Sequence, residues 1–295
     1  MPSKELEAMI AAMVAAPSML DGTIAEQRLQ MEAAVGGQPL PEHTEVSEIH
    51  IGTLQADWVT LPNSANRRVV LYLHGGGYFM GSRRSHRELA ARIAREAAAR
   101  VLVLEYRLAP EFPFPAAVDD ATAAYRWLRK QGVAASSIAI AGDSAGGGLT
   151  LATLLALRDA GDVLPACAVC LSPWTDLEGT GASALPGGAD DPMIPVAALR
   201  DMGRMYAGNC LRDPLASPLY GNFKGLPPLL IQVGTREILL DDSTRVADSA
   251  RAAGVTVRLE IEDGAPHVFQ ASPNLPEAVD AVKRIGAFVR ERVPG

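Results

Sequence analysis

Residues 137–161 read SIAIAGDSAGGGLTLATLLALRDAG. Ile138 to Ala141 make a short apolar run of the kind that forms a buried strand. Gly148 to Gly161 carries apolar residues at helical spacing and closes on a glycine. Between them stands Gly142-Asp143-Ser144-Ala145-Gly146, which fits G-x-S-x-G. So tight a turn from strand to helix leaves no room for side chains at its two glycines and lifts Ser144 above the sheet, at the start of a helix. A serine hydroxyl is a weak nucleophile and needs a base to take its proton. G-x-S-x-G is common by chance, and a glycine-rich turn with an incidental serine is the plain alternative. A strand on one side and a helix on the other favour the nucleophile.

The same rhythm extends both ways. Upstream, 1 to about 45 is helix-like until Gly36-Gly37-Gln38-Pro39 and Pro41 break it, and 44–60 reads as two short strands. VVLYL (69–73) and VLVLEY (101–106) are buried strands, with helical patterns at 86–99 and 116–130. Downstream come strands at 166–172, 228–234 and 255–262, and helices at 241–253 and 277–292. Continuously apolar strands alternating with helices predict an α/β fold with a mostly parallel sheet covered on both faces. Only 1–45 and about 175–225 fall outside this rhythm. The reading is one domain with two excursions.

Composition agrees. The chain has 295 residues, 48% hydrophobic and 21% charged, which excludes disorder as the main state. A net charge of −7 argues against a basic face for nucleic acid or anionic membrane. No apolar run reaches the 18 residues of a membrane span. Three cysteines make no disulfide framework, and acids stand where a signal peptide has its basic start, so a cytoplasmic location is expected.

Candidate chemistry gathers at strand ends. His74-Gly75-Gly76-Gly77 closes the 69–73 strand, and successive glycines leave backbone N–H groups uncovered to meet an anion. The N–H of Ala145, next after the serine, is the expected second contributor. Met80 stands where a dinucleotide loop needs glycine, and no Gly-Lys-Ser/Thr follows any glycine cluster. His74 reads as a structural hydrogen-bonder for the loop. Of five histidines only His267 follows Ser144, in a loop after a strand, where an imidazole base would reach back over the sheet. The acid that orients it should follow the 228–234 strand, where Glu237, Asp241 and Asp242 compete. Helix capping explains the two aspartates, which favours Glu237.

The chain resembles the bacterial hormone-sensitive-lipase-like esterases, lipolytic family IV of the α/β-hydrolases. The matching text is HGGGYFMGS (74–82), YRLAPEFPFPAAVDD (106–120), GDSAGG (142–147), SPWTDL (172–177), DPLASPL (213–219) and PHVFQ (266–270). The resemblance implies an α/β-hydrolase fold and a carboxylic-ester hydrolase for short to medium acyl chains, with no cofactor. It implies Ser144 as nucleophile, His267 as base, and Gly76, Gly77 and Ala145 as oxyanion donors. It also implies a helical cap built from residues 1–45 and the excursion near 175–225 of a catalytic domain at 46–295, and a homodimer through the last strand and helix. The family's acid lies in Asp-Pro-Leu; here the text is Glu237-Ile238-Leu239, so both the acid and the proline differ. Lactones, as cyclic esters, are the nearest alternative substrates, and a non-enzymatic small-ligand receptor on this fold would be expected to lack a triad member.

Other features have plainer readings. Cys167-x-x-Cys170 has redox spacing but lies in an apolar strand, so core packing is expected. Met9, Met13, Met19 and Met31 could line a substrate entrance as cap residues, and Met202, Met205 and Tyr206 an acyl pocket. Tyr78 could touch substrate, Arg107 and Glu111 read as a structural ion pair, and Asp143 as a local hydrogen-bonder.

Overall fold

Eight strands carry the molecule: β1 (Glu45–Ile51), β2 (Leu54–Thr60), β3 (Val69–Leu73), β4 (Arg100–Glu105), β5 (Ile138–Asp143), β6 (Cys167–Leu171), β7 (Leu229–Arg236) and β8 (Val257–Pro266). In the computed structural model, which describes residues 2–65 and 67–295, they form one sheet in the order β1-β2-β4-β3-β5-β6-β7-β8. β1 pairs antiparallel with β2, and β2 with β4; every pairing from β4 to β8 is parallel. The parallel core reads as near-continuous Val, Ile, Leu and Ala because both of its faces are covered.

Alternation along each strand divides the core. Val69, Leu71 and Leu73 of β3 pack with α4 (Ala116–Lys130), α5 (Ala145–Asp159) and α7 (Leu240–Ala252). Val70 and Tyr72 pack on the opposite face with α3 (Arg87–Ala97) and α8 (Pro276–Arg292). The two cysteines follow the same rule. Cys167 faces the α3–α8 side and Cys170 the α4–α5 side, so they cannot pair. Burial pushes both thiols up, Cys167 to about 12.

Two excursions leave this frame. The first holds α1 (Lys4–Ala15) and α2 (Ile24–Val35). Thr23 caps α2 in a capping box with Glu26, and Ser3 caps α1 through the N–H of Leu6. Leu6 and Ile10 of α1 pack on Ala265, Phe269 and Leu275, beside the end of β8 and the start of α8. The second excursion contains α6 (Val196–Ala207), a helix in the stretch that falls outside the strand–helix rhythm of the sequence. Among the described residues no helix is long and apolar enough to cross a membrane.

Candidate active site

Ser144 adopts φ 51° and ψ −121°, a left-handed geometry that a side chain enters at a cost of about 1–3 kcal/mol. Its surroundings impose it. Its N–H donates to the Leu171 carbonyl at 2.8 Å, and its own carbonyl accepts from Gly148 and Trp174 at 3.0 and 2.9 Å. The glycines let the helix approach this closely. A Cβ on Gly146 would lie 2.0 Å from the Leu73 oxygen, and one on Gly148 the same distance from the Trp174 oxygen. The turn therefore needs glycine beyond the G-x-S-x-G pair. The Ser144 side chain makes no capping bond to α5, so its hydroxyl is free for another partner.

That partner is His267, directly after β8. Its Nε2 lies 2.9 Å from Ser144 Oγ, and its Nδ1 lies 2.8 Å from Glu237 Oε2. With Nδ1–H donating to the carboxylate, Nε2 is left to accept the serine hydroxyl. Glu237 is fully buried, and its second oxygen accepts from Ser172 Oγ at 2.7 Å and from the Gly234 N–H at 2.6 Å. Ser172 Oγ in turn accepts the Val268 N–H at 3.1 Å, so one hydroxyl braces both the acid and the residue after the imidazole. Burial by itself would lower the pKa of His267. The hydrogen bond and charge of Glu237, followed by the charges of Asp191 and Asp143, outweigh burial and raise it.

The competing aspartates lie elsewhere. Asp241 accepts the Ser183 N–H at 2.9 Å, and Asp242 accepts those of Thr175 and Asp176 at 2.7 and 2.8 Å. Neither provides a side-chain cap for α7; both instead tether the chain after β6.

Beside the serine, Gly76, Gly77 and Tyr78 adopt φ 113°, 62° and 66° in succession. A Cβ on Gly76 would come within 2.2 Å of the Met80 oxygen, so this loop shape excludes a side chain there. His74 is neutral and structural, as read. Burial, aided by the charge of His86, lowers it to about 3; its Nδ1 lies 2.8 Å from the Gly75 carbonyl and its ring stacks 4.2 Å from that of Tyr106. Asp143 bonds farther along the chain than expected. It accepts the Tyr72 hydroxyl at 2.7 Å and the Gly75 N–H at 3.1 Å, and it faces His86 Nε2 at 3.4 Å.

Ser144, His267, Gly76 and Gly77 open onto a cavity of about 850 Å³. Met9, Met13, Met19, Met31, Met80, Met193 and Met202 line it, seven of the chain's nine methionines. The thioether is flexible and polarisable, so this wall adapts to ligands of different shape. Met205 and Tyr206 are not in the lining. Tyr78 is not either; it is buried with its ring stacked 3.7 Å from that of Tyr206. Arg107 and Glu111 do not pair with each other. Arg107 binds Asp120, while Glu111 binds Arg28 of α2, which also donates to the Phe79 and Ala109 carbonyls at 2.7 and 2.9 Å. Among the described residues no group of three His, Cys, Asp or Glu side chains is placed to hold a metal ion.

A family model for the alpha/beta hydrolase fold matches residues 70–271. A crystal structure of an esterase from the bacterial hormone-sensitive lipase family is similar at 45% identity and a TM-score of 0.94, covering 99% of each chain. The chain belongs to this family of esterases. Its similarity extends to the acetyl-hydrolase of Streptomyces hygroscopicus, 48% identical over 82% of this chain and 81% of the relative. It is also 32% identical to an esterase of Acinetobacter venetianus, over 96% and 94% of the two chains. Within the family frame, what the sequence reading missed is Ser172. Its signal was present, since it opens the SPWTDL motif, but only the fold brings it to Glu237.

Proposed function

We propose that this hormone-sensitive-lipase-family enzyme hydrolyses carboxylic esters of short to medium acyl chains through Ser144, His267 and Glu237. The observation that carries the reading is the hydrogen-bonded chain Ser144–His267–Glu237, at 2.9 and 2.8 Å, opening onto a methionine-lined cavity. His267 Nε2 takes the hydroxyl proton as Ser144 Oγ bonds to the ester carbonyl carbon. The carbonyl oxygen becomes an oxyanion, held by the N–H groups of Gly76, Gly77 and Ala145. The C–O bond to the leaving alcohol breaks as the imidazolium protonates its oxygen. A water, deprotonated by the same imidazole, then attacks the acyl-enzyme and releases the acid. Glu237 holds the tautomer and stabilises the imidazolium.

Two features support a cap formed by residues 1–45 and about 175–225 over a catalytic domain at 46–295. Met9, Met13, Met19 and Met31 from the first stretch and Met193, Ile194 and Met202 from the second border the cavity. The acyl chain lies among them, which sets the upper limit on its length. The acetyl-hydrolase name of one relative agrees with a short acyl group. A homodimer through β8 and α8 belongs to the same reading: β8 is the edge strand, and its Ile261 is 48% exposed.

The test is release of p-nitrophenol from acetate, butyrate, hexanoate and longer esters, beside Ser144→Ala. Turnover peaking at short or medium chains and falling by about 10⁶ in Ser144→Ala is expected, the scale of losing a triad nucleophile. A folded protein inactive on every chain length would overturn the reading and turn the search to lactones.

A further inference from the structure

Two consecutive aspartates of the second excursion grip the residues on either side of Glu237. Asp190 pairs with the guanidinium of Arg236. Asp191 Oδ2 accepts the N–H of Ile238 at 3.0 Å. The other oxygen of Asp191 accepts the N–H groups of Met193 and Ile194 at 2.8 and 3.0 Å, and both of those residues line the cavity. One carboxylate therefore joins the wall of the acyl cavity to the peptide unit that follows the buried acid. This junction depends on a departure noted in the sequence. Where the family pattern has Asp-Pro, this chain has Glu-Ile, and a proline at 238 would have no N–H to offer. Glutamate also carries one more rotatable bond than aspartate, so holding its carboxylate in one place costs more side-chain entropy.

We propose that Asp191 is a positioning residue for the hydrolytic reaction, transmitting the seating of the cap segment at Met193 and Ile194 to Glu237 and through it to His267. The proposal rests on Glu237 being the acid. Asp191 is not a catalytic residue in this account, since it acts through the backbone at Ile238. It also adds negative charge near the imidazole. The groups facing His267 are Glu237 from the turn after β7, Asp143 at the end of β5, Ser144, and Asp191 from the excursion; the Arg236–Asp190 pair flanks the last of these. The Asp191 charge favours the imidazolium, so removing it moves the acid limb of the rate profile to lower pH.

The experiment compares kcat, KM and the pH dependence of kcat/KM for native protein, Asp191→Ala and Asp191→Asn, on p-nitrophenyl acetate and hexanoate. Asp191→Ala is expected to lower kcat about tenfold on both esters, short of the roughly hundredfold that a 1 Å misplacement can bring. KM for the acetate should hold, and the acid limb should shift down. Asp191→Asn removes the charge and leaves one oxygen acceptor, enough for the Met193 and Ile194 N–H groups or for that of Ile238 but not for both. It should recover only part of kcat while keeping the shifted limb, and it serves as the test if the alanine variant does not fold. Native kcat and pH profile in both variants would overturn the proposal. So would a loss confined to KM for the hexanoate, which marks a cavity wall and nothing more. A parallel Glu237→Ala control separates the two levels: near-native turnover there sinks the reading of the acid on which this inference rests, whereas a loss of about 10⁴ there beside native-like Asp191 variants sinks this inference alone.

Discussion

Glu237 divides its two oxygens between tasks. Oε2 meets His267, and Oε1 is held by the Ser172 hydroxyl and the Gly234 N–H. Asp241, four residues on, spends its carboxylate on the backbone at Ser183. Under the proposed mechanism Glu237→Ala should lower kcat by about 10⁴, the scale seen when a triad acid no longer fixes the histidine tautomer. Asp241→Ala should stay within a few-fold on p-nitrophenyl butyrate. Equal losses in the two variants would overturn the assignment. That Ser144 and His267 meet is readable from sequence, because one sits in a strand–turn–helix motif and the other is the only histidine that follows it. Which carboxylate meets the imidazole is not readable from sequence alone. Three carboxylates stand within six residues, and what separates them is whether the side chain turns in under the imidazole or out toward the chain after β6. Ser172 is 95 residues from His267, and nothing local announces that its hydroxyl braces the site.

At the scale of elements, the parallel strands and their helices were readable because both periods are strong there. The failures fall where a local rule met a stronger tertiary demand. α5 begins at Ala145 and runs through Gly146, Gly147 and Gly148, although glycine costs about 1 kcal/mol in a helix, because the neighbouring carbonyls of Leu73 and Trp174 leave no space for a Cβ. α6 has no clear mark in the residue pattern, since Pro195 and Gly208 bound it, and only the resemblance implied helix in that excursion. α1 is held to the rest by a small separate cluster around Leu6 and by Ser3, whose N–H and hydroxyl bond Glu277 at 2.8 and 2.9 Å. Leu6→Ala should remove about 2–5 kcal/mol from that cluster. The cluster lies apart from the two that cover the sheet, so the expected result is release of α1, with Met9 and Met13 leaving the cavity wall. KM for p-nitrophenyl hexanoate should rise several-fold and KM for the acetate change little. Faster amide exchange over residues 4–15 should accompany it. Equal KM changes on both esters would mean that α1 does not border the acyl site in solution.

For the molecule as a whole, the segment after β6 joins the sheet to the second excursion. Asp242 holds that segment, accepting two backbone N–H groups while wholly buried. Burial raises its pKa to about 7; the charge of Asp176 adds to the rise, and the two N–H donors and Arg245 oppose it. An unfolded aspartate titrates near 3.9, so the native state holds this proton more tightly than the unfolded chain does. The stabilisation is complete below about pH 4 and is lost as pH rises through about 7, at a slope of up to about 1.4 kcal/mol per pH unit from this group. Asp242→Asn keeps a carbonyl oxygen for the Thr175 and Asp176 N–H groups and has no proton to lose. Thermal unfolding at pH 5, 6, 7 and 8 should therefore show the Tm of the variant gaining on the native Tm as pH rises, whichever protein is the more stable at pH 5. Other groups that titrate in this range are common to both proteins and cancel in the difference. Parallel Tm curves across the four pH values would mean that Asp242 is ionised throughout and that Arg245 and the two N–H donors outweigh its burial.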